Sequence, residues 1–538
     1  MRKAFGLLVS ALLLHLVLVQ PNHPDAVTWR ALILFPLELP ALLLGLMLLG
    51  DGQAGRWIRR FLAGLLVLLI AVKVADMAMF VAFGRGFNPV GDRMLVGAGV
   101  NLLTGSAGAL VAVAAVVGLV ALVGGLYWAL ERAMAVWARA GLLRGTGLRR
   151  MAGGVALAVA LVATYEVTAI MNRWPMPWNP PGAAFTARVA AEEVRLVWRS
   201  GAAMREFRAA TEADPLRGRT DLLDRIDRDV VVVFIESYGR ASVEGPLYAE
   251  TTQGVLTKGQ AALAARGVSM RSGYLTSSTR GGQSWLAHGT FSSGLRTNDQ
   301  LRYQALLASG REGLFHIAQR AGFVTGAVMP AITMAWPEGE KMGFDHIFPA
   351  AELGYQGLPF NWVTMPDQYT LAAFDRLMGG AAEGRRFSQM VLISSHAPWV
   401  PVPRLVPWDQ VGDGRVFNDM AQEGDPPAVV WRDPDRVRDQ YRQAVAYSLE
   451  AVLDWLSRMD PAQMPLVMVL GDHQAAGFVA QEDRLDVPIH VIGPAALVER
   501  AAEWGFAPGL VPPRDQKALP MEAMRDRIVA TYSSAAVP

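Results

Sequence analysis

Five apolar stretches crowd the first 171 residues, and a chain built this way has one half that can only fold as helices in lipid. Each is roughly 17 to 25 residues long, enough to cross a bilayer. The expected spans are residues 4–20, 29–50, 61–83, 108–130 and 151–171. Arg2 and Lys3 precede the first run as they would in a secretory signal, yet no small-residue cleavage site comes after it; Gln20, Pro21 and Asn22 read as a loop. The hydrophobic fraction of 52% is high for a soluble protein; nearly all of the excess lies in this part, and the remainder has the charges, prolines and turns of an ordinary globular domain.

Orientation is set by the arginines, because cationic loops stay on the cytoplasmic side. Arg2 and Lys3, then Arg56, Arg59 and Arg60, then Arg132, Arg139, Arg144, Arg149 and Arg150 occupy alternate loops. An inside N-terminus and an odd number of crossings place everything after residue 172 outside the cytoplasm. Within the third span, Lys73 and Asp76 stand three apart on one helix face. They are expected to neutralise each other, either at a helix contact or at a polar point lining a substrate cleft. Glu38 carries the same two readings.

Fifty basic and 48 acidic residues leave a net charge of +2, so nothing points to nucleic acid as a partner. Cysteine is absent, which excludes disulfides, thiolate nucleophiles and thiolate metal ligands. The prolines and tryptophans of residues 172–183, Pro175 and Pro177 among them, break any helix and mark a junction. Residues 184–211 mix apolar side chains with arginines, as in an amphipathic helix lying on the bilayer or packed on the globular domain. The expected organisation is a transmembrane bundle over 1–171, an interfacial linker over 172–226 and a globular domain over 227–538.

Beyond residue 229, short β-branched runs alternate with helix-length segments, predicting an α/β domain with a largely parallel sheet. Strands are expected at Val230–Ile235, Val324–Met329, Gln389–Ile393, Pro465–Leu470 and Val487–Ile492, and helices at Leu314–Ala321, Gln368–Leu377 and Arg436–Arg458. Functional groups in such sheets collect at the carboxyl ends of strands. Three of these strands end in metal-competent residues: Glu236 with Ser237, Ser394-Ser395-His396, and Gly471-Asp472-His473. A carboxylate there can instead cap the next helix, and His396 alone can be structural. Their joint occurrence favours a site, and Asp472 beside His473 offers O and N donors on one sharp turn.

A nucleophile is offered by the polar loop from Thr276 to Gln283, which runs into an apolar helix beginning near Ser284. A helix N-terminus there would aim free N–H groups at a phosphate beside the Ser284 hydroxyl, and Gly281 and Gly282 let the backbone approach closely. An ordinary serine N-cap is the competing reading.

The order of these motifs, a Glu after the first strand, a Gly-x-Ser nucleophile about fifty residues on, a His before Pro and then Gly-Asp-His, resembles the alkaline phosphatase superfamily. The match is to its membrane branch: lipoteichoic acid synthases, phosphoglycerol transferases and lipid A phosphoethanolamine transferases. That branch also has about five N-terminal spans before an extracytoplasmic sulfatase-like domain. The resemblance implies that Glu236, Ser284, Asp472 and His473 hold one divalent cation, that Ser284 is the nucleophile, and that His396 contacts the substrate phosphate and leaving group. Trp336 falls where the family has Trp-Asn-Arg, but Pro337 and Glu338 come next, so the phosphate-gripping arginine is missing from that place. Ser284-Trp-Leu-Ala-His288 lacks the C/S-x-P-x-R motif of formylglycine sulfatases, and the chain has none of the disulfides usual in phosphoethanolamine transferases.

The expectation is therefore a membrane-anchored phosphotransferase that passes a phospholipid head group to an envelope glycan or lipid through a phosphoserine. The donor set suits Mn²⁺ or Zn²⁺ better than Mg²⁺. The same residues could serve a phosphodiesterase if water is the acceptor. A catalytically silent lipid- or glycan-binding sensor, or a transporter built on Lys73 and Asp76, are rivals from other classes.

Overall fold

The structure, a computed structural model, describes residues 2–537 except 93, 94, 96, 98, 101–103, 105–107, 175, 177, 179, 335 and 381–383. Pro175 and Pro177 thus lie outside the described residues. The chain divides into two compact units, Met1–Val81 with Arg85–Ala203 and Ala82–Gly84 with Met204–Pro538.

In the first unit, four helices among the described residues are long and apolar enough to cross a membrane: Arg2–Val19, Gln53–Phe83, Ala109–Ala138 and Thr146–Asn172. The expected second span differs. Residues 29–50 form two helices, Trp29–Ile33 and Glu38–Leu49, with Pro36 in the break and bridged to Ala183. A proline removes an intrahelical donor and clashes with the preceding turn, so the run cannot stay continuous. The 12 residues of Glu38–Leu49 nevertheless pack into the bundle, with Leu46 buried among Leu14, Leu66, Leu130 and Met134.

Lys73 and Asp76 do not neutralise each other as expected. The Lys73 ammonium donates to the Thr186 hydroxyl at 2.7 Å and to the carbonyls of Val17 and Leu18, both at 3.4 Å. Asp76 accepts from the Asn22 amide at 2.9 Å and from the Phe87 N–H at 2.8 Å. Helical spacing brings the two to one face, but each finds a closer partner supplied by a neighbouring segment. Glu38 accepts from the Ala187 N–H at 2.9 Å, in the first turn of the helix Phe185–Glu212. That places its carboxylate at a helix N-terminus, where free N–H groups favour negative charge.

The second unit is built on one sheet of nine strands among the described residues. They are β1 (Val230–Ile235), β2 (Ser269–Thr276), β3 (Val324–Met329), β4 (His346–Pro349), β5 (Arg386–Leu392), β6 (Leu466–Gly471), β7 (Asp486–Gly493), β8 (Ala507–Pro508) and β9 (Leu519–Pro520). Their order is β4-β3-β5-β1-β6-β7-β2-β8, with β9 added beside β2. β1 is buried along its whole length, which is why its sequence is an unbroken apolar run rather than an alternating one. Helices Leu314–Arg320, Asp367–Gly380 and Pro434–Arg458 match the expected ones to within a few residues.

The five strands from β4 to β6 are mutually parallel, whereas β7 runs antiparallel to both β6 and β2. The connection from β6 to β7 holds only the four-residue helix Gly477–Ala480, too little to carry the chain back across the sheet. Register then positions the chemistry. Ile235 at the end of β1 lies opposite Leu392 on one side and Gly471 on the other. The residues just beyond β5, β1 and β6 therefore emerge side by side at one edge.

Candidate active site and metal centre

At that edge the chain turns sharply after β1. Ser237 takes a left-handed conformation (φ 57°), and its N–H donates to Asp472 Oδ1 at 2.8 Å. The His473 N–H donates to the same oxygen at 2.6 Å. Gly471 is required before this turn, since a Cβ there would lie 1.8 Å from the Tyr238 carbonyl oxygen. Two backbone donors thus fix one oxygen of Asp472, while its other oxygen, Oδ2, is buried without a hydrogen-bond partner.

Ser284 is the first residue of the helix Ser284–Ser293; the preceding residue, Gln283, is left-handed (φ 64°) and provides no side-chain cap. The serine therefore does not act as an N-cap. Its hydroxyl donates to Glu236 Oε2 at 2.9 Å and lies 3.3 Å from His473 Nε2. His473 Nε2 is 3.1 Å from Glu236 Oε1 and 3.8 Å from Asp472 Oδ2, and its Nδ1 faces the Gln474 carbonyl at 2.9 Å. That carbonyl accepts a hydrogen bond from Nδ1–H and leaves the Nε2 lone pair turned to the carboxylates as the ligand atom.

Glu236, Asp472 and His473 present ligand atoms within 4.8 Å of one another, all from buried residues. Burial and the neighbouring Glu236 push the Asp472 carboxyl up to about 8. Burial opposes charge on His473, but Asp472 and Glu236 raise it to about 9; the Glu236 carboxyl, also opposed by burial, is held low by the positive charge of His473. Two buried carboxylates around one imidazole thus demand more positive charge than the protein supplies. Together with the unpartnered Oδ2, this donor set of carboxylates, imidazole and hydroxyl fits a divalent cation.

His396 lies just beyond β5 on the same edge and is half-buried, with Nδ1 2.5 Å from the Ala397 carbonyl oxygen. Its loop is tied in from beneath. Ser395 donates its hydroxyl to the Glu236 carbonyl at 2.6 Å, and the Trp399 indole donates to the Ser395 carbonyl at 2.6 Å. Asp367, fully buried, accepts from the N–H groups of Ile393 (2.7 Å) and Ser394 (2.9 Å) and from the Ser448 hydroxyl (2.6 Å). Trp336 is half-buried against Phe344, with ring centroids 6.5 Å apart.

Two residues here escape a reading of the sequence. Asp367 opens a helix, and only the fold brings Ser448 and the His396 loop to it. His288 lies one turn after Ser284, its ring tilted 44° against Phe234 with centroids 4.2 Å apart and Nε2 unpartnered, and burial pushes its imidazole down to about 4. It is a neutral wall of the site. Its spacing of four from Ser284 is the one signal the sequence offers for it.

Residues 228–485 match the sulfatase family model. No curated protein sequence matches the chain significantly. Among solved structures, the chain is similar to the integral membrane lipooligosaccharide phosphoethanolamine transferase A of Neisseria meningitidis, at 14% identity over 98% of this chain and 96% of that one, with a TM-score of 0.47. It is also similar to the lipoteichoic acid synthase of Listeria monocytogenes (12% identity, 56% of this chain and 78% of that one, TM-score 0.36). The C-terminal periplasmic domain of EcEptC from Escherichia coli is a third (14%, 56% and 80%, TM-score 0.37). The sulfatase match lies within the second unit and takes in Glu236, Ser284, His396, Asp472 and His473.

Proposed function

We propose that the chain is a membrane-anchored, divalent-metal-dependent phosphotransferase that moves a phospholipid head group, of phosphoglycerol or phosphoethanolamine type, to a glycan or lipid acceptor. The observation that carries this reading is the Ser284 hydroxyl seated between Glu236 and His473 beside the unpartnered oxygen of Asp472. Glu236, Ser284, Asp472 and His473 would hold one cation, Mn²⁺ or Zn²⁺ by the mixture of oxygen and imidazole donors. When bound, it would stabilise the serine alkoxide and polarise a phosphoryl oxygen.

Ser284 Oγ, its proton passed to the Glu236 carboxylate, attacks the phosphorus of a lipid phosphodiester. The bond from phosphorus to the glycerol oxygen of the lipid breaks, His396 protonates that oxygen, and diacylglycerol departs. The head group is left as a phosphodiester on Ser284. An acceptor hydroxyl then attacks the same phosphorus, gives its proton to His396 and frees the serine. Water in that role would give net hydrolysis. Trp336 would border the substrate from its position against Phe344. Residues 227–538 form the catalytic domain in this reading, outside the cytoplasm of an inner-membrane protein, with residues 172–226 as the link.

The test is turnover of fluorescent phosphatidylglycerol and phosphatidylethanolamine by the purified full chain loaded with Mn²⁺. Ser284→Ala is expected to lower diacylglycerol release by at least about 10³-fold, the scale on which loss of a nucleophile acts. Turnover equal to the unaltered protein would end the proposal.

A further inference from the structure

Beyond the metal cluster, the His396 loop carries a rigid aromatic platform. Trp399, 4% exposed, stacks on Trp431 with centroids 5.7 Å apart and planes 7° from parallel. Trp431 is 42% exposed and meets the edge of Phe478, 38% exposed, at 5.9 Å. Each part is tied to the site. The Trp431 indole donates to the Pro398 carbonyl at 3.1 Å, two residues after His396. Phe478 stands five residues after His473, and its carbonyl accepts from the Arg438 guanidinium at 3.1 and 3.0 Å.

From this geometry we propose that the platform is a glycan-binding subsite, where a sugar ring of the acceptor stacks beside the Ser284 centre. The inference rests on the phosphotransferase reading and names the acceptor class within it. Stacked on a buried indole and held at its N–H, Trp431 offers a flat apolar face already ordered before binding, so little entropy is lost when a ring lands on it. Its N–H is spent inside the protein, unlike that of an indole anchoring among lipid head groups.

Charge argues the same way. The segment 404–438, which contains Trp431, carries five arginines and seven acidic residues, a balance that an anionic bilayer surface would repel. Several of these charges are paired, Arg436 with Asp425 at 2.7 Å and Arg404 with Glu423 at 2.6 Å. Charges paired in this way offer fixed hydrogen-bond donors and acceptors suited to neutral hydroxyl groups.

Binding is measured directly, by titrating the Mn²⁺-loaded full chain in detergent with a neutral β-linked glucose oligosaccharide and separately with dihexanoyl phosphatidylglycerol. Trp431→Ala and Phe478→Ala are each expected to weaken oligosaccharide binding about tenfold, the scale of one lost stacking contact, and Trp431→Phe to weaken it less. The proposal is overturned if the unaltered protein does not bind the oligosaccharide or if both alanine variants bind it as well as the unaltered protein. It is equally overturned if the variants lose the short-chain lipid instead, which would make the platform a lipid contact. Thermal melts check folding, and the peripheral Phe478 variant keeps the test open should Trp431→Ala destabilise the stack. Failure of the phosphotransferase reading would show as unimpaired turnover by Ser284→Ala and would leave this affinity unmoved.

Discussion

In the proposed mechanism Asp367 is a positioning residue, acting through the backbone that leads into His396. Its carboxylate accepts three hydrogen bonds, two of them from the backbone that leads into His396. Burial raises its carboxyl above the usual range, against those same hydrogen bonds. Removing the acceptor leaves buried N–H groups unpaired, at a cost of about 1–3 kcal/mol each, and lets the loop drift. A displacement of about 1 Å at a catalytic group can lower a rate on the order of 10²-fold. Asp367→Ala is therefore expected to reduce lipid turnover by roughly that factor with little change in KM, and Asp367→Asn by less, because its amide oxygen can still accept. Steady-state kinetics of the two variants beside thermal melts check this; a rise in KM at unchanged kcat would assign Asp367 to substrate binding instead.

At the scale of elements, β7 is the strand on which the sheet reverses direction, and it carries a buried histidine. His490 lies between the Tyr238 hydroxyl, 3.0 Å from Nε2, and the Ser272 hydroxyl, 2.7 Å from Nδ1. Burial pushes its imidazole down to about 3. The folded chain keeps this ring neutral, whereas the unfolded chain protonates it near its ordinary value of about 6.5. Below that value the unfolded state binds the extra proton, so stability is lost as pH falls from about 6.5 toward 3, by at most ~1.4 kcal/mol per unit. His490→Gln is expected to flatten this part of the stability profile in thermal melts of the full chain from pH 7 to pH 4. An unchanged slope would mean that His490 takes up its proton without unfolding.

Elements also differ in how far they can be read. β1, β3, β5, β6 and β7 are apolar runs long enough to announce themselves, and their ends supply Glu236, His396 and the Asp472–His473 pair. β2 does not stand out, because Arg271, Ser272 and Gly273 interrupt its pattern. Gly273 is there because a Cβ would lie 2.3 Å from the Phe506 ring, a constraint set by a residue far along the chain. The proline break near Pro36 is visible in principle, but its apolar flanks outweigh it.

For the whole molecule, the proposed function depends on sidedness, since it requires a lipid donor and an envelope acceptor to meet one face. Alternate loops rich in arginine argue for an inside N-terminus. The helix Glu38–Leu49 must then bring the chain back between Arg2–Val19 and Gln53–Phe83, and its packing among them is consistent with that return. Because the chain has no cysteine, single replacements report cleanly. In right-side-out vesicles a membrane-impermeant maleimide is expected to label Glu340→Cys and spare Leu142→Cys, both of which replace exposed residues. The opposite pattern would place the second unit in the cytoplasm and remove its access to any envelope acceptor.

Local composition was enough to divide the chain. Lipid-length apolar runs and buried strands ending in polar residues required a membrane part and an α/β part, and the family resemblance marked Glu236, Asp472 and His473 as partners for Ser284. Which groups meet was decided by tertiary structure alone. Strand order and register put β5, β1 and β6 side by side, so that residues separated by more than two hundred positions share one cluster. The same long-range packing gave Lys73 and Asp76 separate partners, brought Asp367 beneath the His396 loop and stacked Trp431 on Trp399. Periodicity along a chain records which face a residue occupies. What stands opposite that face depends on segments distant in sequence, and it is there that charge pairing, burial and reactivity are settled.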